Sequence, residues 1–221
     1  MIEEVFAFPL SYAQQRLWFL DQLEPGNPAY NIFATEVFNE AVQISSLEES
    51  LSEIVRRHEI LRTTFVTVGG QPMQVVAPSL SLPLPVLDLS QMSEDEQAVE
   101  VERVSTEESE RPFDLARGPL LRTTLLRLSE RESLLLLTMH HIVSDGWSMG
   151  VFTNELWRLY EAFSAGETSP LEELPIQYAD FAVWQRQWLT GEVLEQQLEY
   201  WREQLAGAPA VLELPTDKVR P

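Results

Sequence analysis

The 221-residue chain contains no cysteine. That excludes disulfides, thiol catalysis and cysteine-ligated zinc or iron–sulfur centres, and it fits a reducing, cytoplasmic setting. Histidine is nearly as scarce, with three in all, so a histidine-based metal site has few ligands to draw on. No apolar run approaches the ~20 residues needed to span a bilayer, and no membrane partner is expected. The acidic start Met1-Ile2-Glu3-Glu4-Val5 lacks the hydrophobic segment of a signal peptide. Basic residues are outnumbered: 15 Lys plus Arg against 35 Asp plus Glu leave a formal charge of −20. Such a surface repels phosphate backbones, which argues against a nucleic-acid partner. No internal repeat or low-complexity tract is present. What remains is 44% hydrophobic residues, enough to build the core of one large domain or two small ones.

The chemistry-bearing residues concentrate in one place, Met139-His140-His141-Ile142-Val143-Ser144-Asp145-Gly146-Trp147-Ser148. The preceding Leu134 to Met139 is an apolar run of strand length, read as a strand buried on both faces. Adjacent strand residues point to opposite faces, so His140 and His141 cannot both enter one pocket while the strand lasts. One is expected to be structural and the other available for chemistry, where an imidazole titrating near pH 6.5 suits a general base. The residues alone leave plainer readings open. The histidines can be core residues satisfying backbone groups, Asp145 can simply cap the helix that begins near Trp147, and His141 with Asp145 can ligate a metal.

Elsewhere, Ser11 caps a helix through Leu20, Glu24 to Pro28 ends it, and Tyr30 to Phe38 reads as a strand. A capping box from Ser46 to Glu49, or one residue earlier, opens a helix whose apolar face is Leu47, Leu51, Ile54, Val55 and His58. It leads into a β-rich run, Ile60 to Val68, and Gly69-Gly70 turns that into a second strand to Val76. Arg62 sits at the start of this run; if buried, it needs a carboxylate. Pro78 to Pro85 is an extended connector. Ser93 to Glu110 reads as a solvated acidic helix, and Leu121 to Leu128 pairs with the Leu134 strand through a hairpin. Trp147, Val151, Leu156, Leu159, Tyr160 and Phe163 form a packing face on the next helix, which Gly166 terminates. Helices over Ile176 to Leu189 and Glu192 to Leu205 follow, and the polar, proline-bearing end is linker-like.

Four stretches together resemble the condensation domains of non-ribosomal peptide synthetases. Ser11 to Leu20 is similar to the first motif of that family, and Arg57-His58-Glu59-Ile60-Leu61-Arg62-Thr63-Thr64-Phe65 to the second. Met139 to Ser148 resembles the His-His-x-x-x-Asp-Gly motif, with Val143 where Ile is usual, and Tyr178 to Trp184 resembles the fourth. The resemblance implies an α/β fold, a chloramphenicol acetyltransferase-like two-layer sandwich that forms one lobe of a two-lobed domain. Residues 1–213 would be the N-terminal lobe, and 214–221 the start of the connection to a C-terminal lobe that this chain does not contain.

The same resemblance implies an acyltransferase that forms amide bonds between donor aminoacyl or peptidyl thioesters and acceptor aminoacyl thioesters. The partners would be donor and acceptor peptidyl carrier proteins, the C-terminal lobe and neighbouring synthetase domains. No cofactor or metal would be bound directly, because substrates arrive on the carriers' phosphopantetheine arms. His141 is implied to be catalytic and His140 to be the packing histidine. Asp145 is implied to pair with Arg62 across the fold, Gly146 to allow a close substrate approach, and His58 to be structural. The motifs look like the subtype that takes an L-configured donor. The isolated lobe is expected to fold yet form no peptide bond. A non-catalytic recruitment module and an epimerisation-type relative are the alternatives; a heterocyclising enzyme and a stand-alone acetyltransferase suit the motifs less.

Overall fold

The computed structural model describes residues 6–211 and residue 215; the expected inter-lobe connector otherwise lies outside the described residues. In chain order the elements are β1 (Phe6–Pro9), α1 (Tyr12–Leu23), β2 (Asn31–Phe38), α2 (Ile44–Arg57), β3 (Thr63–Val68), β4 (Gln71–Val76) and β5 (Val86–Asp88). They continue with α3 (Glu94–Glu110), β6 (Leu121–Arg127), β7 (Ser133–His140), α4 (Gly146–Ser164), α5 (Tyr178–Trp188) and α6 (Gly191–Gln204). The fold is α/β, as expected. A four-stranded sheet runs β2-β7-β6-β5, and a three-stranded antiparallel sheet runs β1-β4-β3.

β7 is an interior strand, antiparallel to both β2 and β6, and its apolar run lets it serve two cores. Leu135, Leu137 and Met139 join the main core with Leu51 and Ile54 of α2 and Leu156 and Leu159 of α4. Leu136, one residue out of step, joins Val104 of α3 and Leu126 of β6 in a smaller cluster on the other face. The two-residue period of the strand thus puts helices on both sides of the sheet. The solvated acidic helix expected over 93–110 is α3, with only Val104 buried, and a complete capping box between Ser93 and Glu96 starts it. Gly69 and Gly70 both adopt positive φ (59° and 80°) in the two-residue β3–β4 turn, a shape that glycine takes without steric cost.

Three local expectations are revised. α2 begins at Ile44, with Gln43 at its N-cap and no side-chain cap bond, so Ser46 is a buried helical residue and opens no capping box. The β-rich run starts later than expected: Glu59–Arg62 is a 3₁₀ turn, and the strand begins at Thr63. Trp147 is 84% exposed, whereas Phe152, Leu156 and Leu159 of the same helix are buried. α6 has no buried residue at all, and its Leu198, Tyr200 and Trp201, with Leu205 just beyond it, are exposed.

Candidate active site

The end of β7 sorts the two histidines. His140, the last strand residue, is buried between the rings of Tyr30 and Phe113, with centroids 6.4 and 6.2 Å away. Its Nδ1 accepts a hydrogen bond from the Ile142 N–H at 3.0 Å, and its carbonyl accepts one from the Val143 N–H. Burial, with a smaller push from the neighbouring His141, brings the His140 pKa down to about 4. It is therefore neutral at pH 7, with its proton on Nε2, and it pins the turn that follows. His141 is bonded through its backbone N–H to the Tyr30 carbonyl at 2.8 Å. Its side chain is exposed and lines a cavity of about 540 Å³.

That cavity brings the four sequence stretches together. Gln14 and Leu17 come from α1, His58 and Leu61 from the 3₁₀ turn and its flank, His141 to Asp145 from the turn after β7, and Tyr178 and Phe181 from α5. Separate contacts fix these walls to one another. The Ser11 and Tyr178 hydroxyls lie 3.0 Å apart, the Tyr12 N–H donates to Gln185, and Arg186 donates to the Leu10 carbonyl. Trp147 stands at the cavity wall rather than in the core.

Asp145 caps α4: one carboxylate oxygen accepts from the Ser148 N–H at 2.8 Å and from the Ser148 hydroxyl at 2.7 Å. The bonds from Ser148 hold its pKa below the usual carboxylate range, with a lesser contribution from His141. The ion pair expected between Asp145 and Arg62 does not form. Because Arg62 ends a 3₁₀ turn, its guanidinium reaches the Ala77 carbonyl at the end of β4 and the Glu59 carboxylate at 3.3 Å. Gly146 also departs from expectation. Its φ is not in the left-handed region and an added Cβ meets nothing within 4 Å, so neither backbone shape nor packing within this chain requires a glycine there.

The buried charge pair is a different one, which the sequence alone did not reveal. Arg57 is the last residue of α2 and 4% exposed; it bonds both carboxylate oxygens of Glu155 on α4 at 3.4 Å and donates to the Glu172 carbonyl at 2.7 Å. His58 Nε2 lies 2.8 Å from the same carboxylate. Burial raises the Glu155 pKa, but hydrogen bonds from His58 and Arg57 outweigh it and leave the carboxylate ionised below its ordinary value. A signal existed: Glu155 follows Trp147 and Val151 at four-residue steps, an acidic residue in an otherwise apolar stripe. Among the described residues no cluster of three His, Asp or Glu side chains is placed to hold a metal.

The family model described as "Condensation domain" matches residues 6–221. The chain belongs to the condensation domain family. It is 53% identical to one of the subunits of linear gramicidin synthase from Brevibacillus parabrevis, over 97% of its own length and 3% of that protein's. It is 48% identical to phosphinothricin tripeptide synthetase PhsC of Streptomyces viridochromogenes, over 96% of the chain and 20% of PhsC. Among solved structures, a mutant of the starter condensation domain of the rhizomide synthetase RzmA superposes with a TM-score of 0.83 at 22% identity, a likeness of fold. The match covers 92% of this chain and 49% of that one. The X-domain from teicoplanin biosynthesis, solved in complex with OxyB, superposes with a TM-score of 0.81 at 32% identity over 97% of this chain and 46% of that one. This condensation domain chain therefore spans about half of the solved domains it matches and a small part of the synthetases.

Proposed function

We propose that this chain is the N-terminal lobe of an amide-forming condensation domain, occupying residues 1–213, with 214–221 leading to a second lobe. The observation that carries this reading is the meeting of all four motif stretches around one cavity, with His141 as an exposed imidazole on its wall. A volume of about 540 Å³ suits an aminoacyl group on a tether. In the reaction, the acceptor's amine attacks the donor's thioester carbonyl. The carbon–sulfur bond breaks, and the thiol leaves with the proton that the amine gives up. His141 orients the amine and can take that proton in transit. His140 acts indirectly by fixing the turn, and Asp145 by fixing the start of α4. Arg62 braces the 3₁₀ turn against β4. Donor and acceptor carrier proteins supply both thioesters on phosphopantetheine arms, and the donor is L-configured.

The intact His-His-x-x-x-Asp-Gly stretch favours this reading over a recruitment module. The test is dipeptide formation between two loaded carrier proteins. The complete domain should form the product, His141→Ala should lower the rate by a factor of about 10² or more, and the isolated chain should form none. Wild-type rates from His141→Ala would remove that residue from its role.

A further inference from the structure

His58 shares the cavity with His141 and is held with unusual care. Its Nε2 faces the ionised Glu155 carboxylate at 2.8 Å, and a carboxylate can only accept, so Nε2 carries the proton and donates. The carboxylate is itself fixed by the buried Arg57 guanidinium. The backbone on either side of His58 is clamped by one side chain. Gln177 donates to the Arg57 carbonyl at 2.9 Å and accepts from the Glu59 N–H at 3.1 Å. In the neutral ring Nδ1 is then an acceptor, and among the described residues it has no hydrogen-bond partner. Nor is it among their fully buried unpartnered atoms. The imidazole side chain is 21% exposed, and His58 is one of the residues that line the cavity.

A histidine needed only to tie α2 to α4 would not have to present a free acceptor to a substrate-sized space. We propose that His58 is a substrate-contacting residue, whose Nδ1 accepts a hydrogen bond from an N–H of an aminoacyl group in the cavity. Glu155, Arg57 and Gln177 are its positioning residues. The contact rests on the amide-forming reading for the nature of the ligand, and it adds a second imidazole to the one the motif supplies. The N–H donor it selects for is present in an aminoacyl or peptidyl thioester and absent from a plain fatty-acyl one.

Single substitutions of the three histidines of this chain assign their imidazole ¹⁵N signals. In the complete domain, a non-hydrolysable L-alanyl-pantetheine amide should shift the His58 Nδ1 resonance upfield, as expected for a lone pair that gains a hydrogen bond. The butyryl-pantetheine amide, lacking the amine, should not. His58→Gln keeps a donor near Nε2 for Glu155 but has nothing at Nδ1. It should retain the wild-type melting temperature while losing about tenfold in kcat/KM for dipeptide formation, the effect of one hydrogen bond made to substrate. An unmoved Nδ1, or full kcat/KM in His58→Gln, would overturn the contact. The NMR readout needs no turnover, so a wild-type domain that binds the probe at His58 yet forms no dipeptide would sink the amide-forming reading alone.

Discussion

Asp145 and Glu155 both serve α4, yet Asp145 grips its own helix in the open while Glu155 reaches across a buried interface to α2. Asp145 uses one oxygen to accept both bonds from Ser148, three residues on. Glu155 collects Arg57 and His58, which lie nearly a hundred residues earlier in the chain. The same contrast recurs at the end of β7, where His140 is sealed between aromatic rings and His141 is left in the cavity. In each pair the buried member fixes geometry. Of the open members, His141 faces the cavity, and Asp145 sets where the cavity-lining helix begins. Polar groups taken out of water must be matched over long distances, and that is how the distant stretches of this chain are held to one site.

The sharpest way to break the comparison is to remove the buried carboxylate. Glu155→Ala leaves the Arg57 guanidinium without its partner in a nearly dry place and should destabilise the domain by roughly 3 kcal/mol in urea unfolding. A loss below about 1 kcal/mol would put Glu155 in the same class as the open cap.

Next in size is the pH response of His140. Its folded pKa of about 4 lies below the ordinary 6.5, so the unfolded chain binds the proton first as pH falls. The stability due to the neutral ring is full above pH 6.5 and drains away towards pH 4. Between pH 7 and pH 5 this amounts to about 2 kcal/mol, and His140→Leu should flatten that limb of the unfolding curve. An unchanged slope would mean that the ring stays wet.

The smallest effect belongs to the cap. Asp145→Ala should cost about 1 kcal/mol and Asp145→Asn close to nothing, because asparagine caps as well as aspartate. If Asp145→Asn proved as costly as Glu155→Ala, a long-range ion pair at Asp145 would be the better account.

The sequence showed most clearly what is local. The unbroken leucine run of β7, the Ser11 cap and the Gly69-Gly70 turn are each set by neighbours within a few residues, and each appears where the pattern puts it. The split of the two histidines follows from the pleat of a strand. Long-range pairing was much less legible. Arg62 and Arg57 belong to the same short stretch, but Arg57 closes α2 and meets Glu155, whereas Arg62 ends the 3₁₀ turn and meets Glu59. Glu155 is masked in the sequence because the apolar residues around it define the helix face. Trp147 fits the same helical spacing as its packed neighbours, yet it lies at the first turn of α4, beyond the reach of the core.

Carbethoxylation of the complete domain with diethyl pyrocarbonate, mapped residue by residue by mass spectrometry, tests the central claim most directly. His141 should be modified quickly and be protected by the L-alanyl-pantetheine amide, while His140 stays unreacted until the domain unfolds. Rapid modification of His140, or a His141 that reacts at the same rate with and without that ligand, would contradict the placement of one imidazole in the cavity and the other in the core.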